Sequence, residues 1–149
     1  MDMAHYEFTN TMTAIAGLPG IIEELKEEFD IGSSVAAGIN LALEEAMVNA
    51  INYAYPPGQT GPINLDVSFD PPRRMLHFEL TDRGVPFDPT GAAPADTDAP
   101  LEERRIGGLG IHLIRTLMDS VEYTYAGGCN ILRMSASINP EYSEESDET

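Results

Sequence analysis

The segment from Ile63 to Leu80 constrains the fold more than any other. Ile63, Leu65, Val67 and Phe69 alternate with polar residues, Pro71-Pro72 turns the chain, and Leu76, Phe78 and Leu80 alternate again. This period of two makes strands with one apolar and one polar face, so the segment reads as a β-hairpin. The apolar face of such a hairpin needs a second layer to cover it. That requirement directs attention to the residues before it.

Two helices are predicted there. In LPGIIEELKEEF, residues Leu18, Ile21, Ile22, Leu25 and Phe29 fall at helical intervals, with Pro19 near the start, where proline is tolerated. Glu23, Glu24, Glu27 and Glu28 form its solvated face. A longer helix is predicted from Ser33 or Ser34, either of which would cap it, to about Ala54, ahead of Pro56-Pro57-Gly58. Its apolar stripe is Val35, Ile39, Ala42, Leu43, Ala46, Ala50 and Tyr53. Residues four apart stack on a helix, so Glu45 and Asn49 project together along the flank of that stripe, with Asn52 close by.

The remaining strands are shorter. His5 to Asn10 reads as a first strand, while Val121, Tyr123 and Tyr125, a turn at Ala126-Gly127-Gly128, and Ile131 to Ile138 read as a second hairpin. The expected fold is α+β: a two-layer α/β sandwich with a mixed, mostly antiparallel sheet and helices on one face. No internal repeat or interior linker calls for a second domain, so one domain is expected over residues 5–139. Residues 140–149 include the acidic stretch EYSEESDET, expected to be a disordered tail.

Charge and cysteine content bound the function. With 25 acidic and 8 basic residues the net charge is −17, which disfavours nucleic acid or a membrane surface as the main partner. The single Cys129 cannot close an internal disulfide, and no N-terminal apolar run resembles a signal peptide or a membrane span, so a cytoplasmic protein is expected. Cys129 itself is expected as a small buried thiol near the ligand pocket. The scattered His5, His77 and His112 lack the spacing of a zinc site.

Three stretches carry chemistry. In Ile106–Ser120, IGGLGIHLIRTLMDS, glycines precede an apolar helix; Gly107, Gly108 and Gly110, with Leu109 between them, present backbone N–H groups and a helix N-terminus to a phosphate. Glu45 offers a carboxylate to take a proton, and Asn49 an amide oxygen for Mg²⁺. Asp82-Arg83-Gly84 ends the first hairpin, where a carboxylate can accept from an exocyclic amine and glycine allows a flat ring to approach. Each also has a plainer reading: a tight turn, a polar helix surface, a common Asp-x-Gly bend. Residues 85–105, rich in Pro, Ala, Asp and Gly, form a candidate lid, with Arg104 and Arg105 at its end either reaching a phosphate or pairing with Glu102 and Glu103.

Together the three stretches resemble the nucleotide-binding boxes of the GHKL ATPase superfamily shared by gyrase, heat-shock chaperones and histidine kinases, whose ATP-binding fold is the Bergerat type. Within it, LALEEAMVNAINYAYP, DRGVPFDP and GGLGIHLIRTLMDSVEY resemble the anti-sigma factor serine/threonine kinases of bacteria. The resemblance covers roughly residues 5–139. It implies ATP and Mg²⁺ as cofactors, with Glu45 as general base, Asn49 as metal ligand, Asp82 as the adenine-binding carboxylate and Gly84 as the residue that makes room for the base. Gly107, Gly108, Leu109 and Gly110 would belong to the phosphate turn, with Arg105 or Arg104 beside it. Two departures stand out: Tyr53 occupies a position where many relatives carry histidine, and Ile106 separates the arginines from the glycine turn. The resemblance implies a kinase that phosphorylates a STAS-type antagonist protein and sequesters a sigma factor, with a homodimer through the sheet near the N-terminus. The alternative is a noncatalytic ATP-binding partner switch.

Overall fold

The computed structural model describes residues 3–89 and 111–138. Five strands, β1 (Met3–Thr9), β2 (Pro62–Asp70), β3 (Met75–Asp82), β4 (Ser120–Ala126) and β5 (Cys129–Ser137), form one sheet in the order β1-β2-β3-β5-β4. All four pairings are antiparallel, so the expected mostly antiparallel sheet contains no parallel pair among the described residues. Helices α1 (Leu18–Phe29), α2 (Ser33–Asn49) and α3 (residues 111–117) make the second layer. Among the described residues no helix is long and apolar enough to cross a membrane.

The alternation read from sequence sets the core. Ile63, Leu65, Val67 and Phe69 of β2 and Leu76, Phe78 and Leu80 of β3 are buried, and pair in register. Leu132, Met134 and Ala136 extend that surface on β5. Leu18, Ile22, Leu25 and Phe29 of α1, with Ile39, Leu43 and Met47 of α2, cover it. Removing a side chain this size from water contributes about 1.5–3 kcal/mol, so the inner face of the hairpin fixes which side the helices occupy. Polar residues lie on the opposite face, where Arg133 Nε donates to Glu79 Oε2 (2.8 Å) and His5 pairs with Asp66 (2.6 Å).

Two local readings need correction, and the helix expected to end at about Ala54 does so with a change of geometry on the way. The N-cap of α2 is Gly32, not Ser33 or Ser34, and no side chain caps the helix. The α-helical geometry of α2 ends at Asn49; Ala50–Ala54 continue as a single π-helical turn. The first strand occupies Met3–Thr9 rather than His5 to Asn10, because Thr9 is its last residue paired with β2, opposite Pro62. Elsewhere backbone chemistry agrees with expectation: α1 has its predicted bounds, and the β4–β5 turn is Gly127-Gly128 with φ of 62° and 78°. Two successive positive φ values define the tight hairpin turn for which Gly-Gly is suited.

Candidate functional site

The inner face of the sheet is apolar except at one end. There Asp82 of β3 and Asn130 of β5 stand opposite each other in register, and both are buried. Asn130 Nδ2 donates to Asp82 Oδ1 (2.8 Å), and the Gly84 N–H donates to the same oxygen (2.8 Å). Both hydrogen bonds therefore fall on Oδ1, and among the described residues Oδ2 accepts none. Burial pushes the Asp82 carboxyl above its ordinary pKa, while the hydrogen bonds from Asn130 and Gly84 pull it back down.

The turn after Asp82 is fastened at several points. The Val85 N–H donates to the Ala54 carbonyl (2.7 Å), joining the turn to the π-helical end of α2. The Phe87 N–H donates to Asn130 Oδ1 (2.9 Å), and the Phe87 ring stacks on Tyr53 with centroids 5.1 Å apart. Tyr55, buried, donates its hydroxyl to the Pro62 carbonyl (2.7 Å) and accepts the Arg83 N–H (2.9 Å). A Cβ added to Gly84 would lie 2.2 Å from the Ala54 carbonyl oxygen, so the space left by its missing side chain is filled by the backbone of the π-helical turn. This gives Gly84 a packing role that the sequence reading, which made room for a base there, did not include.

A small cleft opens over this end of the sheet. Leu80 and Leu132 form its apolar floor beside Asp82 and Asn130; Ala46, Asn49 and Ala50 of the α2 segment form one wall, and Phe87, Pro89 and Tyr123 the other. Asn49 belongs to this wall. It is buried, and its Nδ2 has no hydrogen-bond partner among the described residues. Leaving such a donor unpaired is costly, so Asn49 keeps one donor open to a further partner in the cleft. Glu45, one turn earlier, is half-buried. The helix thus carries Glu45, Asn49 and the cleft wall on adjoining positions, and the strand brings Asp82 to the same cleft.

Other expectations fall differently. Arg104, Arg105, Gly107, Gly108, Leu109 and Gly110, with most of the lid, lie outside the described residues, as does the acidic tail. Cys129 is half-buried and is not among the cleft residues; strand alternation turns its neighbour Asn130 inward instead. Asn130 and Tyr55 were missed in sequence. Asn130 had a usable signal, because the inward alternation of Leu132, Met134 and Ala136 extends back to it and puts an amide on an apolar face. A larger concavity on the open sheet face, bordered by His77, Glu79 and Arg133, lies away from Asn49 and Asp82.

A sheet backed by helices, with Asn49 on a helix and Asp82 at a strand end lining one cleft, is a two-layer α+β domain with a polar cleft between its layers. The chain belongs to the histidine kinase-like ATPase domain family, whose model matches residues 8–136. It is 34% identical over 107 residues to the serine-protein kinase RsbW of Oceanobacillus iheyensis, covering 69% of this chain and 66% of that one. It is 32% identical over 111 residues to RsbW of Listeria monocytogenes, covering 72% and 69%, and 29% identical over 103 residues to the serine/threonine-protein kinase BtrW of Bordetella bronchiseptica, covering 69% and 71%. Among solved structures, the RsbU and RsbW domains of a Mycobacterium tuberculosis protein share the fold, with a TM-score of 0.66 over 93% of this chain and 33% of that chain at 15% identity.

Proposed function

We propose that this protein is an ATP-dependent serine/threonine kinase of the anti-sigma, partner-switching kind, acting on a STAS-type antagonist protein. The observation that carries the reading is the placement of Asn49, whose buried Nδ2 has no partner among the described residues, one turn beyond Glu45 and in the same cleft as Asp82. The names of the relatives, serine-protein kinases at about the same identity throughout, support the reaction class.

Each residue has a task set by its chemistry. Asp82 Oδ2 accepts from the amino group of adenine. Asn49, on the cleft wall, carries an amide oxygen of the kind that Mg²⁺, a hard ion, prefers, and would hold the ion there. When bound, the ion offsets the charge on the ATP phosphates. Glu45 receives the proton from the attacking serine or threonine hydroxyl as the new phosphorus–oxygen bond forms and ADP departs. Gly107, Gly108, Leu109 and Gly110, outside the described residues, would supply backbone N–H groups to the phosphates, joined by Arg105 or Arg104.

The test is transfer of radiolabel from γ-labelled ATP to purified STAS-domain proteins from the same genome. Labelled phosphoserine or phosphothreonine with the wild type, lost in Glu45→Gln while ATP still binds, is the expected result. ATP binding without label on any such protein would replace this reading with a noncatalytic, nucleotide-dependent partner switch.

A further inference from the structure

We propose that Asn130 is a positioning residue for base recognition, which fixes Asp82 and the turn after it without itself touching the ligand. The inference rests on the ATP-binding reading above and adds a specificity role that the motif residues do not contain. A side-chain amide has two N–H donors and an oxygen with two lone pairs. Asn130 uses all four. Its Nδ2 donates to Asp82 Oδ1 (2.8 Å) and to the Val85 carbonyl (2.7 Å). Its Oδ1 accepts from the Phe87 N–H (2.9 Å) and from the Tyr123 hydroxyl.

These four bonds reach β3, β4 and the turn between Asp82 and Pro89. Rotation of the amide would break several at once, and a flipped amide would set its oxygen against the Asp82 carboxylate. The network therefore defines the amide orientation. It also leaves Asn130 no bonding capacity for a nucleotide. Its effect on a ligand must pass through the groups it holds.

The main one is Asp82. With Oδ1 occupied by Asn130 and Gly84, Oδ2 is the oxygen left to meet a base. An ionised carboxylate only accepts hydrogen bonds, so a ring amine facing Oδ2 is bound and a ring carbonyl in the same place is repelled. Discrimination between adenine and a 6-keto purine then depends on how rigidly the carboxylate is aimed. The second effect is on the cleft wall: the bond to the Phe87 N–H holds that residue where its ring stacks on Tyr53.

The test compares ATP with inosine triphosphate, which has a carbonyl in place of the 6-amino group. Affinities for both are measured by calorimetry on the wild type and on Asn130→Leu, which is similar in size and makes no hydrogen bonds. The wild type is expected to prefer ATP by roughly tenfold or more, the usual worth of a hydrogen bond to a charged group. In Asn130→Leu the preference is expected to fall to about threefold or less, chiefly through weaker ATP binding. A preference unchanged from wild type, or an equal loss of affinity for both nucleotides, would overturn the proposal, because general loosening of the fold does not single out one base. Should Asn130→Leu fail to fold, Asn130→Asp serves instead. Its carboxyl meets the Asp82 carboxyl at hydrogen-bond distance, where the two share a proton, so Asp82 is neither held by an amide nor fully ionised and the same preference is expected to be lost. Failure of the wild type to bind either nucleotide would overturn the ATP reading itself, whereas a wild-type preference that survives both substitutions would overturn only the role of Asn130.

Discussion

At the scale of single residues, the role proposed for Asp82 is set against stability. Its carboxyl is buried and its pKa is raised, so the folded protein favours the protonated form more than the unfolded chain does. The stabilising contribution of that proton is fully present below the ordinary value of 3.8 and is lost as pH rises through the raised native value. Asn in the same place still accepts from Gly84 and Asn130 through its oxygen, without the buried charge. Asp82→Asn is therefore expected to melt at an equal or higher temperature than wild type at neutral pH, with the difference growing as pH rises from roughly 3 to 7. Its affinity for ATP is expected to fall about tenfold or more. Thermal melts of the two proteins across that range, paired with ATP titrations, check both halves. A variant that melts lower at neutral pH than at acid pH, relative to wild type, would show that the carboxylate is stabilised rather than strained.

At the scale of elements, the junction between the end of α2 and the Asp82 turn decides whether the cleft has walls. Gly84 packs against Ala54 closely enough that a methyl group would meet backbone atoms at 2.2 and 2.5 Å. Backbone cannot swing aside as a flexible side chain does, so Gly84→Ala is expected to cost roughly 2–3 kcal/mol in denaturant unfolding. Tyr55→Phe removes one hydroxyl that bridges Pro62 and Arg83, and is expected to cost about 1–2 kcal/mol in the same assay. The elements themselves were largely legible in sequence, because alternation in β2 and β3 and the helical spacing in α1 are direct imprints of one-sided burial. The junction was not. The π-helical turn at Ala50–Ala54, the fit of Gly84 against it and the clasp by Tyr55 all depend on contacts between segments far apart in sequence. Local propensity has no term for such contacts. The capping serines illustrate the same limit: a residue type favoured for a cap was present, but the backbone placed Gly32 one position earlier. Of the cleft residues, Asn49 and Asp82 carry motif spacing that the sequence displays, whereas Asn130 stands alone on its strand and acquires meaning only when β5 pairs with β3.

At the scale of the whole molecule, charge governs how a nucleotide reaches the cleft. The chain carries a net charge of −17, and ATP is itself an anion. Without a cation the two repel, and the repulsion weakens as added salt shortens the Debye length to about 8 Å at physiological ionic strength. Binding of ATP in the presence of a chelator is therefore expected to be weak and to improve as salt is raised, the reverse of a basic nucleotide site. With Mg²⁺ present, the bound complex carries less charge, and affinity is expected to rise by about tenfold or more and to depend less on salt. Asn49→Ala separates this long-range effect from local coordination. Its Nδ2 is buried and, among the described residues, unpaired, so its removal relieves a desolvation cost and the variant is expected to be as stable as the wild type or more so. The variant keeps the charge of the wild type, hence its salt dependence without Mg²⁺, and should lose most of the gain in affinity when Mg²⁺ is added. Calorimetric titrations of ATP at several salt concentrations, with Mg²⁺ or chelator, measure both quantities on one protein pair. An Asn49→Ala variant with the full Mg²⁺ gain would place the metal ligand elsewhere, and a wild type indifferent to salt in chelator would mean that the acidic residues lie too far from the cleft to be felt there.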